Sequence, residues 1–166
     1  MKTTLYPLLM GLLLLGATAC EEESATPETQ PEFFVKAQKA GQAWTVPGSG
    51  VYVRTTKKFH VYGNQNQANM PEAYLRLDFE APTQGTTVAA QAEWLELVGG
   101  DVIVDNYSTT GVAEPSSVEV TRLDTVQRVL EGRFQTTLRR DQRWSTRGEL
   151  LPFSNGSFRI RYTVVQ

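Results

Sequence analysis

Phe158-Arg159-Ile160-Arg161-Tyr162-Thr163-Val164 (FRIRYTV) strictly alternates apolar and polar side chains. A period of two puts Phe158, Ile160, Tyr162 and Val164 on one face of an extended strand and the arginines and the threonine on the other, the pattern of a half-buried strand. The same reading extends backwards. Leu130, Gly132, Phe134, Thr136 and Leu138 line one face opposite Glu131, Arg133 and Gln135, and Val118 and Val120 alternate with Glu119 and Thr121. Leu75, Leu77 and Phe79 alternate with Arg76, Asp78 and Glu80, and Phe59 and Val61 with Lys58, His60 and Tyr62. Five strands with one apolar face each predict an all-β domain, an antiparallel sandwich or meander barrel.

Turn-forming residues fall between these runs, at Lys39-Ala40-Gly41, Pro47 to Gly50, Gly63 to Asn66, Pro82 to Gly85, Gly99-Gly100 and Ser154-Asn155-Gly156. Val88 to Val98 (VAAQAEWLELV) reads two ways. It holds good helix formers between Thr87, a capping residue, and a Gly99-Gly100 stop, which predicts one short helix in an otherwise β domain. No repeat of 20–50 residues divides the chain, so residues 33–166 are expected to form one domain.

The N-terminus has a different composition. Lys2 precedes an apolar run from Leu5 to Leu15, and the small residues Gly16 to Ala19 follow. That is the layout of a secretory signal, too short for the roughly 20 residues a membrane-spanning helix needs. The single cysteine of the chain, Cys20, comes directly after the small residues. A thiol there is where a bacterial lipoprotein is acylated before its signal is cut away, and Leu15 to Cys20 (LGATAC) resembles that lipobox, with Ala17 where a larger aliphatic is usual. Residues 1–19 are therefore expected to be removed and Cys20 lipidated, with the domain held at the cell envelope, on the outer membrane, facing the periplasm or the outside. Once consumed, Cys20 leaves the domain no thiol for a disulfide or a cysteine metal site.

Residues 20–32 continue as an acidic tether (CEEESATPETQPE) without a large apolar side chain after the cysteine, a composition that cannot offset the entropy of ordering. Extended at about 3.5 Å per residue, it could let the domain stand about 40 Å from the lipid. With the signal gone, the five tether acids leave the rest with 15 basic and 13 acidic residues, a near balance that argues against a nucleic-acid partner. The Glu21-Glu22-Glu23 run is read as a solvated spacer or as an export signal to the cell surface.

The opening Phe33 to Trp44, Gly85-Thr86-Thr87, Val118 to Asp124 (VEVTRLD), Leu130 to Phe134 (LEGRF) and Ser154 to Phe158 (SNGSF) together resemble a family of Bacteroidota lipoproteins whose β-rich domain has no assigned role. The resemblance covers most of the domain. It implies a lipid-anchored β module and transfers no catalytic residue.

Few residues offer chemistry. His60 is the only histidine and stands on a polar strand face with no nucleophile or carboxylate near it in sequence, so it reads as a surface residue. Asp101, Asp105 and Asn106 are too loosely spaced for a cation loop and read as exposed turn groups. Glu93 and Glu96 would serve a glycosidase only if the fold set them at the right separation. Trp44 and Trp94 read as core or rim aromatics. Arg139, Arg140, Arg143, Trp144 and Arg147 form the most suggestive cluster, either guanidinium donors and a stacking ring for an anionic ligand or glycan, or a hairpin tip whose arginines balance Asp141 and Glu149. No cofactor, metal or catalytic group set is expected. The sequence favours a non-enzymatic envelope binding or scaffolding module. The alternatives are a glycan-binding accessory protein using Trp144 and its arginines, and a carboxylate-based glycan-active enzyme.

Overall fold

The computed structural model describes residues 31–67, 70–141 and 146–166. Cys20, the signal and most of the tether therefore lie outside the described residues, as do Arg143 and Trp144. The alternation that opens the sequence reading belongs to a 16-residue strand, the last of nine. In chain order these are β1 (Phe34–Lys39), β2 (Gln42–Val53), β3 (Lys58–Gln67), β4 (Met70–Glu80), β5 (Thr87–Val98), β6 (Val102–Ser108), β7 (Ser116–Asp124), β8 (Val129–Arg140) and β9 (Leu150–Val165).

Strands β2 to β5 form an antiparallel meander. β5 then divides its free edge, pairing β7 through Thr87 to Ala90 and β6 through Glu93 to Val98. β7 and the end of β6 both pair β8, β8 pairs β9, and β9 pairs β1 and β2. The ladder returns to the strand from which it set out, so it closes as a barrel and leaves few open edges. One pairing departs from the expected antiparallel pattern: Gly50 to Val53 of β2 runs parallel to Tyr162 to Val165 of β9. The short β1 lies antiparallel to both strands, so the two must point the same way where they meet beyond its end.

Val88 to Val98 is strand, not helix. Ala92 and Trp94 are buried on its inner face and the segment pairs residue by residue with β4. Its helix-forming composition is outweighed by a Trp side chain that only an extended backbone can bury here. Three of the expected turns are also strand: Pro47 to Gly50 lies in β2, Gly63 to Asn66 in β3 and Ser154 to Gly156 in β9. Their glycines admit neighbours rather than turn the chain. A Cβ on Gly63 would stand 2.9 Å from Val35 Cβ and 3.0 Å from Trp44 Cη2, and one on Gly156 would stand 2.6 Å from the Phe134 ring. Lys39-Ala40-Gly41, Pro82 to Gly85 and Gly99-Gly100 do turn the chain, with Ala40, Gly41, Gly85, Gly99 and Gly100 at positive φ.

Aromatic rings fill the interior in two layers. Trp44, Trp94 and Phe153 meet one another with centroids 5.6 Å apart. Phe59, Phe79, Phe158 and Tyr162 occupy the other half. Five strands have the faces read from sequence: Phe59 and Val61, Leu75 to Phe79, Val118 and Val120, Leu130 to Leu138, and Phe158 to Tyr162 are all buried at alternate positions.

The two ends of the barrel differ. The β1–β2 and β5–β6 turns, the ends of β3 and β4 that meet at Gln67 and Met70, and residues 146–149 gather at one end, called here the mouth. The β2–β3, β4–β5 and β7–β8 turns and the C-terminus gather at the other. The chain enters at the waist, where Phe33 O accepts from Gly48 N at 3.1 Å and the Phe33 ring lies 4.9 Å below the Arg161 guanidinium. From there β1 runs towards the mouth.

Candidate functional site

Inward-facing positions that are apolar through the barrel become polar at the mouth. On β5 the inner row runs Ala92, Trp94, Glu96, and on β6 Tyr107 is preceded by Asp105. Glu96 and Asp105 are direct cross-strand partners, so two carboxylates share one face. Such a pair repels unless a cation intervenes. Arg147 supplies it: the guanidinium bonds Glu96 Oε2 and lies 3.7 Å from Asp105 Oδ2. Tyr107 holds the same segment by donating its hydroxyl to Gly148 O at 3.1 Å. Burial, with Asp105 next, pushes the Tyr107 phenol above its ordinary pKa.

Around this pair the mouth is a cleft of about 280 Å³, lined among others by Lys39, Gln65, Glu72, Trp94, Glu96 and Arg147. Glu72 is the extra residue where the β3–β4 register shifts at Gln65, and its carboxylate accepts from Gln65 Nε2 at 3.0 Å. Gln65 Oε1 accepts in turn from Trp44 Nε1 at 3.2 Å, and Glu96 Oε1 accepts from Trp94 Nε1 at 3.1 Å. Both buried indoles thus pass their N–H groups to the polar cluster, as buried tryptophans require. Lys39, the last residue of β1, lays its ammonium 4.2 Å from the centroid of the Trp94 ring.

Burial lowers the pKa of Lys39, against Glu96, which raises it, while Arg147 lowers it further. The folded amine releases its proton below the ordinary 10.5, so the unfolded chain holds more protons between the two values. Stability attributable to Lys39 accordingly rises with pH as the solution approaches 10.5 from neutrality. The urea midpoint of the native protein should gain on that of the Lys39→Met variant over this interval. The comparison stops below pH 10.0, where tyrosines with raised pKa such as Tyr62 and Tyr162 begin to act in the opposite sense. Parallel curves for the two proteins would contradict the placement of Lys39.

The arginines singled out from sequence are divided. Arg139 lies on the outside and pairs with Glu149 at 2.8 Å, while Arg147 turns into the mouth. Arg140 is half-buried and its backbone N donates to Glu149 O at 2.9 Å. The described members of the cluster are thus engaged with protein groups and form no open guanidinium array. Glu93 and Glu96 face opposite sides of β5, Glu93 meeting Arg76 at 3.2 Å on the outside, so they do not converge as an acid–base pair. Asp105 was expected to be an exposed turn carboxylate and is instead wholly buried, because residues 147–148 close over it. Among the described residues, no cluster of three or more His, Cys, Asp or Glu could hold a metal.

His60 stands on the outer face of β3, as read from sequence, but it has a carboxylate partner. Its Nδ1 lies 2.7 Å from Asp78 Oδ1, and Arg76 Nε lies 3.1 Å from Asp78 Oδ2. The carboxylate is 18 residues away in sequence and directly opposite across the β3–β4 ladder. This line of polar side chains runs over the outside of the barrel and ties β3 to β4 and, through Arg76 and Glu93, β4 to β5. No family model, curated protein or solved structure matches this chain.

Proposed function

We propose that the protein is a lipid-anchored module of the cell envelope, held on the outer membrane through Cys20, that binds a partner at the barrel mouth and carries out no reaction of its own. The observation supporting this most is the polarity of the barrel. β1 runs from the waist to the mouth, so Phe33, beside the first described residues, lies away from the charged, tryptophan-floored cleft. The mouth also carries an apolar rim, with Val98, Val102 and Ile103 exposed around the β5–β6 turn. An apolar rim around fixed polar groups suits a binding site. The cleft carboxylates are already taken up by Trp94, Gln65 and Arg147, which suits recognition better than turnover.

A photo-reactive amino acid placed at Val102 on the rim should crosslink to an envelope glycan or protein in intact cells. The same group at Val126, more exposed still but at the far end, should not. Equal crosslinking from both positions, or from Val126 alone, would contradict the reading. One observation favours a glycan-active enzyme as a second reading: Glu72 and Glu96 both line a cleft floored by Trp94. Release of reducing ends from envelope polysaccharide by the native protein, lost in Glu96→Gln, would support it.

A further inference from the structure

On the outside of the barrel, away from the mouth, a trough of about 470 Å³ crosses β5, β7, β8 and β9. The registers show how it is built. Thr87, Glu119, Arg133 and Ser157 stand side by side on four neighbouring strands, and Ser117 stands beside Gln135 in the adjoining row. Short side chains form the floor, and longer polar ones stand along it.

Asn155 marks the place where this surface breaks from regular sheet. The β8–β9 register shifts between Phe134 and Thr136, and the β1–β9 register shifts between Lys36 and Gln38, so Asn155 is an extra residue relative to both neighbours. It holds φ at +52° in the middle of a strand. A non-glycine residue in that region is strained, and bulges of this kind redirect a side chain. The strain is not a packing requirement of the Asn155 side chain, which is exposed and lines the trough. Close packing is met by the next residue, Gly156, against Phe134. Neither the Asn155 nor the Gln135 amide has a hydrogen-bond partner among the described residues. Arg133 and Glu119 are 3.9 Å apart, beyond hydrogen-bond distance, with side chains 73% and 40% exposed, so each keeps free hydrogen-bonding capacity.

We infer that this trough is a binding site for a neutral, polyhydroxylated ligand, a glycan chain lying across the strands. Two amides, three hydroxyls and one opposed charge pair offer donors and acceptors alternately, as vicinal diols do, and sum to no net charge. An anionic or cationic ligand would meet a like charge in either Glu119 or Arg133. The trough is shallow and hydrogen-bonding, so a single oligosaccharide binds weakly and a polymer that meets many tethered copies is held by avidity. This site is independent of the mouth, and its failure leaves the mouth reading untouched.

The test uses the lipidated mature protein in a sugar-free zwitterionic detergent, titrated with neutral glucan and mannan hexasaccharides while the side-chain amide NMR signals are followed. The Asn155 and Gln135 amides should shift with at least one probe. Asn155→Gly should lower the affinity about ten-fold or more with an unchanged backbone spectrum, because glycine accepts the bulge conformation. Gln135→Ala should weaken the same binding, and Lys39→Met should leave it unaltered. The inference fails if no neutral probe moves those amides at about 10 mM, or if Asn155→Gly binds as the native protein does.

Discussion

Trp94→Ala is expected to destabilise the barrel by about 3–5 kcal/mol, the range for removing a fully buried large aromatic. Trp94 has no exposed surface, meets Trp44 and Phe153 ring to ring, and supports Lys39 on its face. Its removal opens a void beside Trp44 and Phe153 and takes away the N–H that donates to Glu96 Oε1. Urea denaturation monitored by circular dichroism reads the loss directly. Trp94→Phe keeps an aromatic ring in place but loses the N–H and part of the indole volume, so it should cost clearly less than Trp94→Ala, with the roughly 1 kcal/mol of one hydrogen bond as its lower part. Equal losses for the two variants would show that the mouth network, not the core packing, carries the role of this residue.

The other large effect concerns the anchor. Cys20→Ser should release the protein from the membrane fraction into the soluble one, with no acyl mass on the chain. Each buried methylene contributes about 0.8 kcal/mol, so losing two or three acyl chains removes nearly all membrane affinity. Among the described residues, no helix is long and apolar enough to cross a bilayer. A Cys20→Ser protein that still sediments with membranes would show that the fold or a partner holds it there.

How far the sequence could be read depended on the range of the interaction. Period-two alternation is local, so Phe158 to Tyr162 and Leu130 to Leu138 declared their faces without help. β5 was ambiguous because Ala, Gln, Glu and Leu are good helix formers. What settles it is the register with β4, which sets Trp94 beside Leu75 in the core. The glycines of β2, β3 and β9 looked like turns because a turn and a close approach both call for a missing Cβ. Only the positions of the Trp44 and Phe134 rings tell them apart.

The mouth was legible residue by residue and not as a site. Trp94, Glu96 and Arg147 each drew notice from sequence, yet nothing local says that Arg147 reaches back 51 residues to Glu96. Lys39 and Gln65 were read only as turn residues, and Glu72 was missed. The one signal that could have found them is a break in alternation, where an inner row that is apolar through the barrel turns polar near a hairpin tip. Asp105 was read as exposed, and His60 as without a carboxylate, because their partners, Arg147 and Asp78, are distant in sequence.

We propose that the barrel is held at the envelope by lipid on Cys20, the first residue after the signal. The intact mass of the natural protein, extracted from its membrane, tests this most directly. The expected mass is that of residues 20–166 with a diacylglyceryl group on the Cys20 sulfur, with or without a third acyl chain on its amine. A mass that still includes residues 1–19, or that leaves the thiol unmodified, would contradict it.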